Sequence, residues 1–105
     1  MNYTIISQNR ILIPRLYNSF MLSNKNALID LNIHVVKTLK QIRLEAGLRQ
    51  SDLSQRLGKP QSYVSKYESG SRQLSILEIR EICMAVGISL TRFVILLETS
   101  IGDGF

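Results

Sequence analysis

Cys83, His34 and the pair Gly102-x-Gly104 are the residues of this 105-residue chain whose types most readily suggest chemistry, and each lacks the company that chemistry needs. A structural or catalytic zinc site takes three or four ligands at set spacings. Cys83 and His34 are single residues of their kind, and no acid cluster lies near His34. A phosphate-cradling glycine loop needs a strand before it and a helix after it, a context that Gly102 and Gly104 do not have. A nucleophile needs a base within reach. Serines are plentiful, but the one histidine lies outside the region where the motifs fall. Cys83 sits in an apolar helical pattern and reads as a plain buried thiol. The expectation is a protein with no enzymatic activity, no metal and no cofactor.

The side chains that do have company are cations and amides. Residues 37–72 hold eight Lys or Arg against three acids, a net +5. Residues 1–36 add +2, and residues 73–105 carry −2. The basic middle contains Gln50, Lys59, Gln61, Lys66 and Arg72. Such a stretch suits a polyanion, although a solvated face produces the same count.

These residues must be carried by helices. Val36, Leu39, Ile42 and Ala46 recur at spacings of three and four, which marks one apolar stripe from Val35 onward. Gly47 ends that helix, and Leu48 is a buried connector. A short helix follows over Gln50–Leu57, with Leu53 and Leu57 inward, and Gly58 closes it. After the link Gly58-Lys59-Pro60, a third helix spans 61–69 with Pro60 at its start, where a missing N–H costs little. Val64 and Tyr67 face inward. Ser75 and Glu78 form a capping box for a fourth helix, whose inner stripe is Ile76, Ile79, Ile82, Cys83 and Val86 before Gly87. Ser89 caps a fifth helix from Leu90 to about Glu98. There Leu90, Phe93, Val94 and Leu97 follow core spacing and leave Ile95 and Leu96 on other faces.

Residues 1–34 look different. Pro14 interrupts an apolar stretch, Asn and Ser cluster at 18–19 and 23–26, and only 27–32 has weak helical character. The expected organisation is an irregular or weakly helical extension over 1–34, a helical domain over 35–98 and a short frayed tail over 99–105. Met21 is an alternative start. No apolar run approaches the roughly 18 residues of a membrane span, and the N-terminus lacks a signal-peptide layout, so a cytoplasmic protein is expected.

A link as short as 58–60 forces the helices on either side to cross steeply, which is the helix-turn-helix geometry. The second helix of such a pair fits the major groove of B-DNA. The residues resemble a known family at this point. Leu48-Arg49-Gln50-Ser51-Asp52-Leu53-Ser54-Gln55-Arg56-Leu57-Gly58 resembles the "Leu-Ser-Gln-x-x-Leu-Ala-x-x-Leu-Gly" of the Cro/repressor, or XRE, helix-turn-helix regulators. Pro60-Gln61-Ser62-Tyr63-Val64-Ser65-Lys66-Tyr67-Glu68-Ser69-Gly70 resembles their recognition helix and its closing "Glu-x-Gly". Ser75-Ile76-Leu77-Glu78-Ile79 through Ala85-Val86-Gly87-Ile88-Ser89 resembles their fourth helix and its exit. The likeness covers about sixty residues. Two positions depart from it. Arg49 replaces the usual Ser or Thr cap, which predicts a less sharp start to the second helix. Ser54 replaces a small Ala and is small enough to fit.

The resemblance implies an all-α, compact five-helix, lambda-repressor-like DNA-binding domain with an irregular N-terminal arm. It implies a bacterial or phage regulator, a repressor or autoregulator, that reads a double-stranded operator with helix 61–69. Gln50 is implied as a phosphate anchor and Gln61, Ser62 and Lys66 as base-edge readers. Tyr63 and Ser65 share the exposed side, and Lys59, Ser71 and Arg72 are flanking phosphate contacts. Arg43 and Glu68 match a structural ion pair. A homodimer through helix 90–98, by way of Ile95 and Leu96, is expected. The rival readings are a DNA-binding antitoxin of a toxin–antitoxin pair, whose N-terminal arm would bind a protein partner, and a protein-interaction module on the same fold.

Overall fold

The computed structural model describes residues 25–104, with side-chain surroundings over 31–102. The chain divides into two units, 1–30 and 31–105, and the second carries every residue of the candidate site. The elements are α1 (Lys25–Glu45), α2 (Gln50–Leu57), α3 (Ser62–Glu68), α4 (Ile76–Val86) and α5 (Leu90–Gly104). There is no strand among the described residues. The expectations for the extension before Lys25, including the Met21 start and a protein-binding arm, lie outside the described residues.

Two helices are longer than the sequence pattern suggested. The first begins at Lys25, ten residues before Val35, so 25–34, expected to be irregular or weakly helical, is part of this helix. The last continues past Glu98 to Gly104, through the segment expected to be a frayed tail. The extensions of the two helices meet at one point within the second unit. His34 Nδ1 lies 2.9 Å from Ser100 Oγ, a tie between positions that the sequence pattern left outside the core domain.

The core is made where all five helices contribute. Leu39 and Ile42 of α1, Leu53 of α2, Val64 and Tyr67 of α3, Ile82 and Cys83 of α4 and Phe93 of α5 are all buried, together with Leu48 of the first connector. Burial pushes the Cys83 thiol up to about 11, which keeps it protonated and unreactive at neutral pH. The apolar stripes depart from expectation in three places. Ala46 is exposed just past the end of α1. Ile76, in the first turn of α4, lies at the edge of that helix's stripe and is 60% exposed. The third departure is a rotation of α5. Leu96 turns inward and lines a hollow of about 350 Å³ with Thr38, Ile42 and Ser100, while Val94 turns outward. The continuation of α5 alongside α1 favours this orientation, because it brings Leu96 and Ser100, four residues apart on one face, against α1.

The ends of α2 set the crossing of α2 and α3. Gly58 adopts a left-handed φ of 65°, and its N–H donates to the Gln55 carbonyl while that of Lys59 donates to the Ser54 carbonyl. A residue with a Cβ is strained in that conformation, so Gly58 allows the chain to reverse within the link. Ser54 is fully buried between the two helices, and its hydroxyl donates to the Gln61 carbonyl at 3.3 Å. The start of α2 is sharper than Arg49 suggested. An Arg side chain cannot accept a capping bond, but Asp52 accepts the Arg49 N–H at 2.9 Å and its guanidinium at 3.0 Å. The Arg49 side chain, and then its backbone N–H, holds the Asp52 carboxyl down at about 2.

Candidate nucleic-acid interface

The α3 helix has one buried and one open side. Val64 and Tyr67 are buried with 0% exposure, while Gln61, Ser62 and Lys66 are exposed. Ser62 and Lys66 are four residues apart and share a face. Gln61 stands at the N-terminal end beside them. A helix presenting an amide, a hydroxyl and an ammonium along one edge carries the donors and acceptors that base edges in a major groove recognise. Ser65 is half-buried, and its hydroxyl donates to the Ser62 carbonyl.

Tyr63 is not on the exposed side with these residues. It is 8% exposed and packs edge-on against Tyr67, with the ring centroids 5.7 Å apart. The i, i+4 spacing of two tyrosines holds this signal, since it places both on the inner face. The outward use of Tyr63 is electrostatic. Lys59 Nζ lies 5.6 Å and the Arg72 guanidinium carbon 5.0 Å from its ring centre. Cation–π attraction of this kind favours both cations close to α3. The sequence brings these residues together only through the fold, because Lys59 precedes α3 and Arg72 follows it.

The chain beyond α3 closes on itself. The hydroxyls of Ser69 and Ser71 both donate to the Lys66 carbonyl, at 2.9 and 3.0 Å. Ser71 therefore ties down the C-terminal turn of α3 while remaining exposed. Arg72 reaches across to α4, where Nη2 donates to Glu78 Oε2 at 2.5 Å. Glu78 accepts the Ser75 N–H at 2.8 Å and Ser75 Oγ accepts the Glu78 N–H at 3.1 Å, which completes the expected capping box. The Ser75 N–H and then the Arg72 guanidinium hold the Glu78 carboxyl down at about 2. The ion pair of Glu78 with Arg72 has no sequence signal, since six residues with no helical register separate the partners.

Orientation of α3 comes from a second, buried ion pair. Arg43 Nε donates to Glu68 Oε2 at 2.7 Å and Nη2 to Glu68 Oε1 at 2.9 Å, with the two side chains 6% and 4% exposed. Arg43 Nη1 donates to the Leu48 carbonyl at 2.7 Å. The hydrogen bonds with Glu68 hold the Arg43 guanidinium above its ordinary value against the opposing effect of burial. Gln50 joins this network, its Nε2 donating to Glu68 Oε1 at 3.0 Å. One carboxylate thus connects the end of α1, the start of α2 and the end of α3. The structure brings Gln50 to Glu68 and leaves it half-buried at the start of α2.

Among the described residues no group of three or more His, Cys, Asp or Glu could hold a metal ion. No single helix there is long and apolar enough to cross a membrane.

A helix-turn-helix family model (HTH_3) matches residues 39–93, just over half of the chain. No functionally curated protein matches. Solved structures do. The wild-type restriction-modification controller protein C.Esp1396I is 32% identical over 68% of this chain and 93% of its own, with a TM-score of 0.65. The same protein as a tetramer in complex with its natural 35 base-pair operator has a TM-score of 0.64, again at 32% identity with the same coverage. An XRE-family-like protein from Pseudomonas syringae pv. tomato is 31% identical over 73% of this chain and 94% of its own, with a TM-score of 0.68. With α3 open along one edge and the matched region spanning its core helices, the chain belongs to the XRE-type helix-turn-helix family of DNA-binding transcriptional regulators.

Proposed function

We propose that this protein binds a specific operator as a dimer and acts as a repressor or autoregulator. The observation that carries the reading is the open edge of α3, where Gln61, Ser62 and Lys66 are exposed and the flanking cations Lys59 and Arg72 lie over the Tyr63 ring. Gln61 and Lys66 read base edges, with Gln matched to adenine and Lys to guanine. Lys59 and Arg72 take phosphates, which fix register without reading sequence. Ser62, Ser65 and Ser71 supply shorter contacts along the same rim, and Gln50 presents its amide to a phosphate from the start of α2 while tied to Glu68. Tyr63 supports the cations instead of touching DNA.

The dimer forms through α5. Val94 and Ile95 are exposed there, at 39% and 51%, and α4 exposes Leu77 and Met84. The likeness to a controller solved as a tetramer on its operator supports assembly on DNA.

Selection of bound duplexes from random DNA, followed by affinity measurements on the selected and a random duplex, tests this reading. Lys66→Ala and Gln61→Ala should each narrow the gap between the two duplexes, losing about 1–3 kcal/mol at one base position. Arg72→Ala should weaken both duplexes alike and make the slope of log affinity against log salt shallower by about 0.9 for each phosphate no longer neutralised. Equal losses on both duplexes for Lys66→Ala would make Lys66 a phosphate ligand. Failure of the wild type to enrich any duplex would overturn DNA recognition altogether.

A further inference from the structure

Among the described residues, Arg72 is the flanking cation that already holds an anion. Its Nη2 bonds Glu78 Oε2 at 2.5 Å, and its guanidinium lies over the Tyr63 ring. The Tyr63 hydroxyl also reaches Glu78 Oε2, at 3.4 Å. Glu78 is itself fixed, because its other oxygen, Oε1, accepts the Ser75 N–H. The result is a triangle of ring, guanidinium and carboxylate on a rigid α4 cap. Arg72 remains partly open, with 44% of its side chain exposed against 27% for Glu78.

A carboxylate and a phosphate are rivals for a guanidinium, since both offer oxygens that its N–H groups match. A phosphate that reaches Arg72 therefore meets a site partly filled by the chain's own anion. We propose that Glu78 is a positioning residue that latches Arg72 beside α3 and lowers the affinity for DNA, so that phosphate capture at Arg72 is an exchange of one anion for another. This rests on the DNA-binding reading and assigns Glu78 a role there beyond capping α4. Glu78 remains a carboxylate throughout the neutral range, so the latch is constant and not a pH switch. Nothing comparable restrains Lys59, which lies over the same ring and forms no ion pair among the described residues.

Glu78→Gln separates the two roles of this residue. A Gln at the third helical position still accepts the Ser75 N–H, so the cap and the fold persist, as circular dichroism would verify. The charge that holds Arg72 is removed. The variant should bind both the selected and a random duplex about two- to five-fold more tightly, the scale expected for a partly exposed ion pair. A merely structural residue gives the opposite sign, since damage to α4 weakens binding. The same substitution in an Arg72→Ala background should then change affinity by less than about two-fold. An equal gain in that background would make the effect the general field of one carboxylate and would overturn the latch. Wild-type binding with unchanged or weaker Glu78→Gln binding would overturn it as well. If the wild type itself binds no duplex, the DNA-binding reading fails first and the latch falls with it.

Discussion

Glu68→Gln should lower the stability of the protein by about 3–5 kcal/mol, the range for removing one partner of a buried ion pair. Both side chains of the Arg43–Glu68 pair are nearly inaccessible, so solvent cannot take over the role of the missing charge. The single oxygen of Gln can accept from only part of what Glu68 now serves, which is Arg43 Nε, Arg43 Nη2 and Gln50 Nε2. Arg43 would remain charged in the interior without an opposing charge, left with the Leu48 carbonyl and at most the one Gln oxygen as acceptors. For a domain of this size each kcal/mol moves Tm by roughly 4–8 °C, so the melting transition should fall by about 12 °C or more. Glu45→Gln is the control. Glu45 is exposed and, among the described residues, accepts only the Gln41 amide, so its replacement should move Tm by a few degrees at most. Equal shifts for the two variants would show that the buried pair does not hold the fold. A second measure separates the pair from its parts. Replacing both residues with apolar side chains, as in Arg43→Met with Glu68→Leu, should cost less than Glu68→Gln alone, because no charge is then stranded.

The local signals in the sequence and the fold agree best where a single residue or spacing decides the outcome. Gly58 needs a left-handed conformation, Ser75 and Glu78 are three residues apart, and Leu39 with Ile42 lies on one stripe, and each of these reads directly from the chain. The Arg43–Glu68 pair spans 25 residues and is visible in the sequence only through likeness to a family. Local pattern fails where a helical arc has to be centred by its neighbours. The α5 pattern admits two inner arcs, one through Val94 and one through Leu96, and only the extended α1 alongside selects the second. Tyr63 departs from its expected place for a different reason. A tyrosine on a helix expected to face DNA suggests contact, whereas its distance of four residues from Tyr67 puts it inside. The salt-linked group of Tyr63, Arg72 and Glu78 has no local signal, because its members come from α3, a loop and α4 and meet only after folding.

Breaking the dimer should have the largest effect on operator binding. One small domain buries little DNA surface by itself, and two half-sites about one helical turn apart require two copies with fixed spacing. Linking the copies makes the second binding event intramolecular, which adds about 10²–10⁴-fold to affinity without any new interaction with DNA. The proposed interface is the outward side of α5, where Val94 and Ile95 leave apolar surface open, with Leu77 and Met84 of α4 as further exposed apolar side chains. Leu96 does not belong to this surface, since it packs inward against the core. A clean test therefore leaves Leu96 unchanged and uses Val94→Lys with Ile95→Glu. Both positions are open to solvent, so the variant should melt within a few degrees of the wild type. It should run as a monomer in light scattering where the wild type runs as a dimer. Its affinity for the selected operator should fall by about 10²–10⁴-fold, whereas binding to a duplex holding one half-site should change little. The rival expectation is that Ile11, Leu12 and Leu16 of the N-terminal segment cover this face within one chain, and those residues lie outside the described part of the structure. The rival predicts a wild type that stays monomeric at high concentration and a double variant that loses stability instead of a partner. Either result would remove α5 as the interface, and a monomeric wild type that still binds the full operator tightly would remove the dimer altogether.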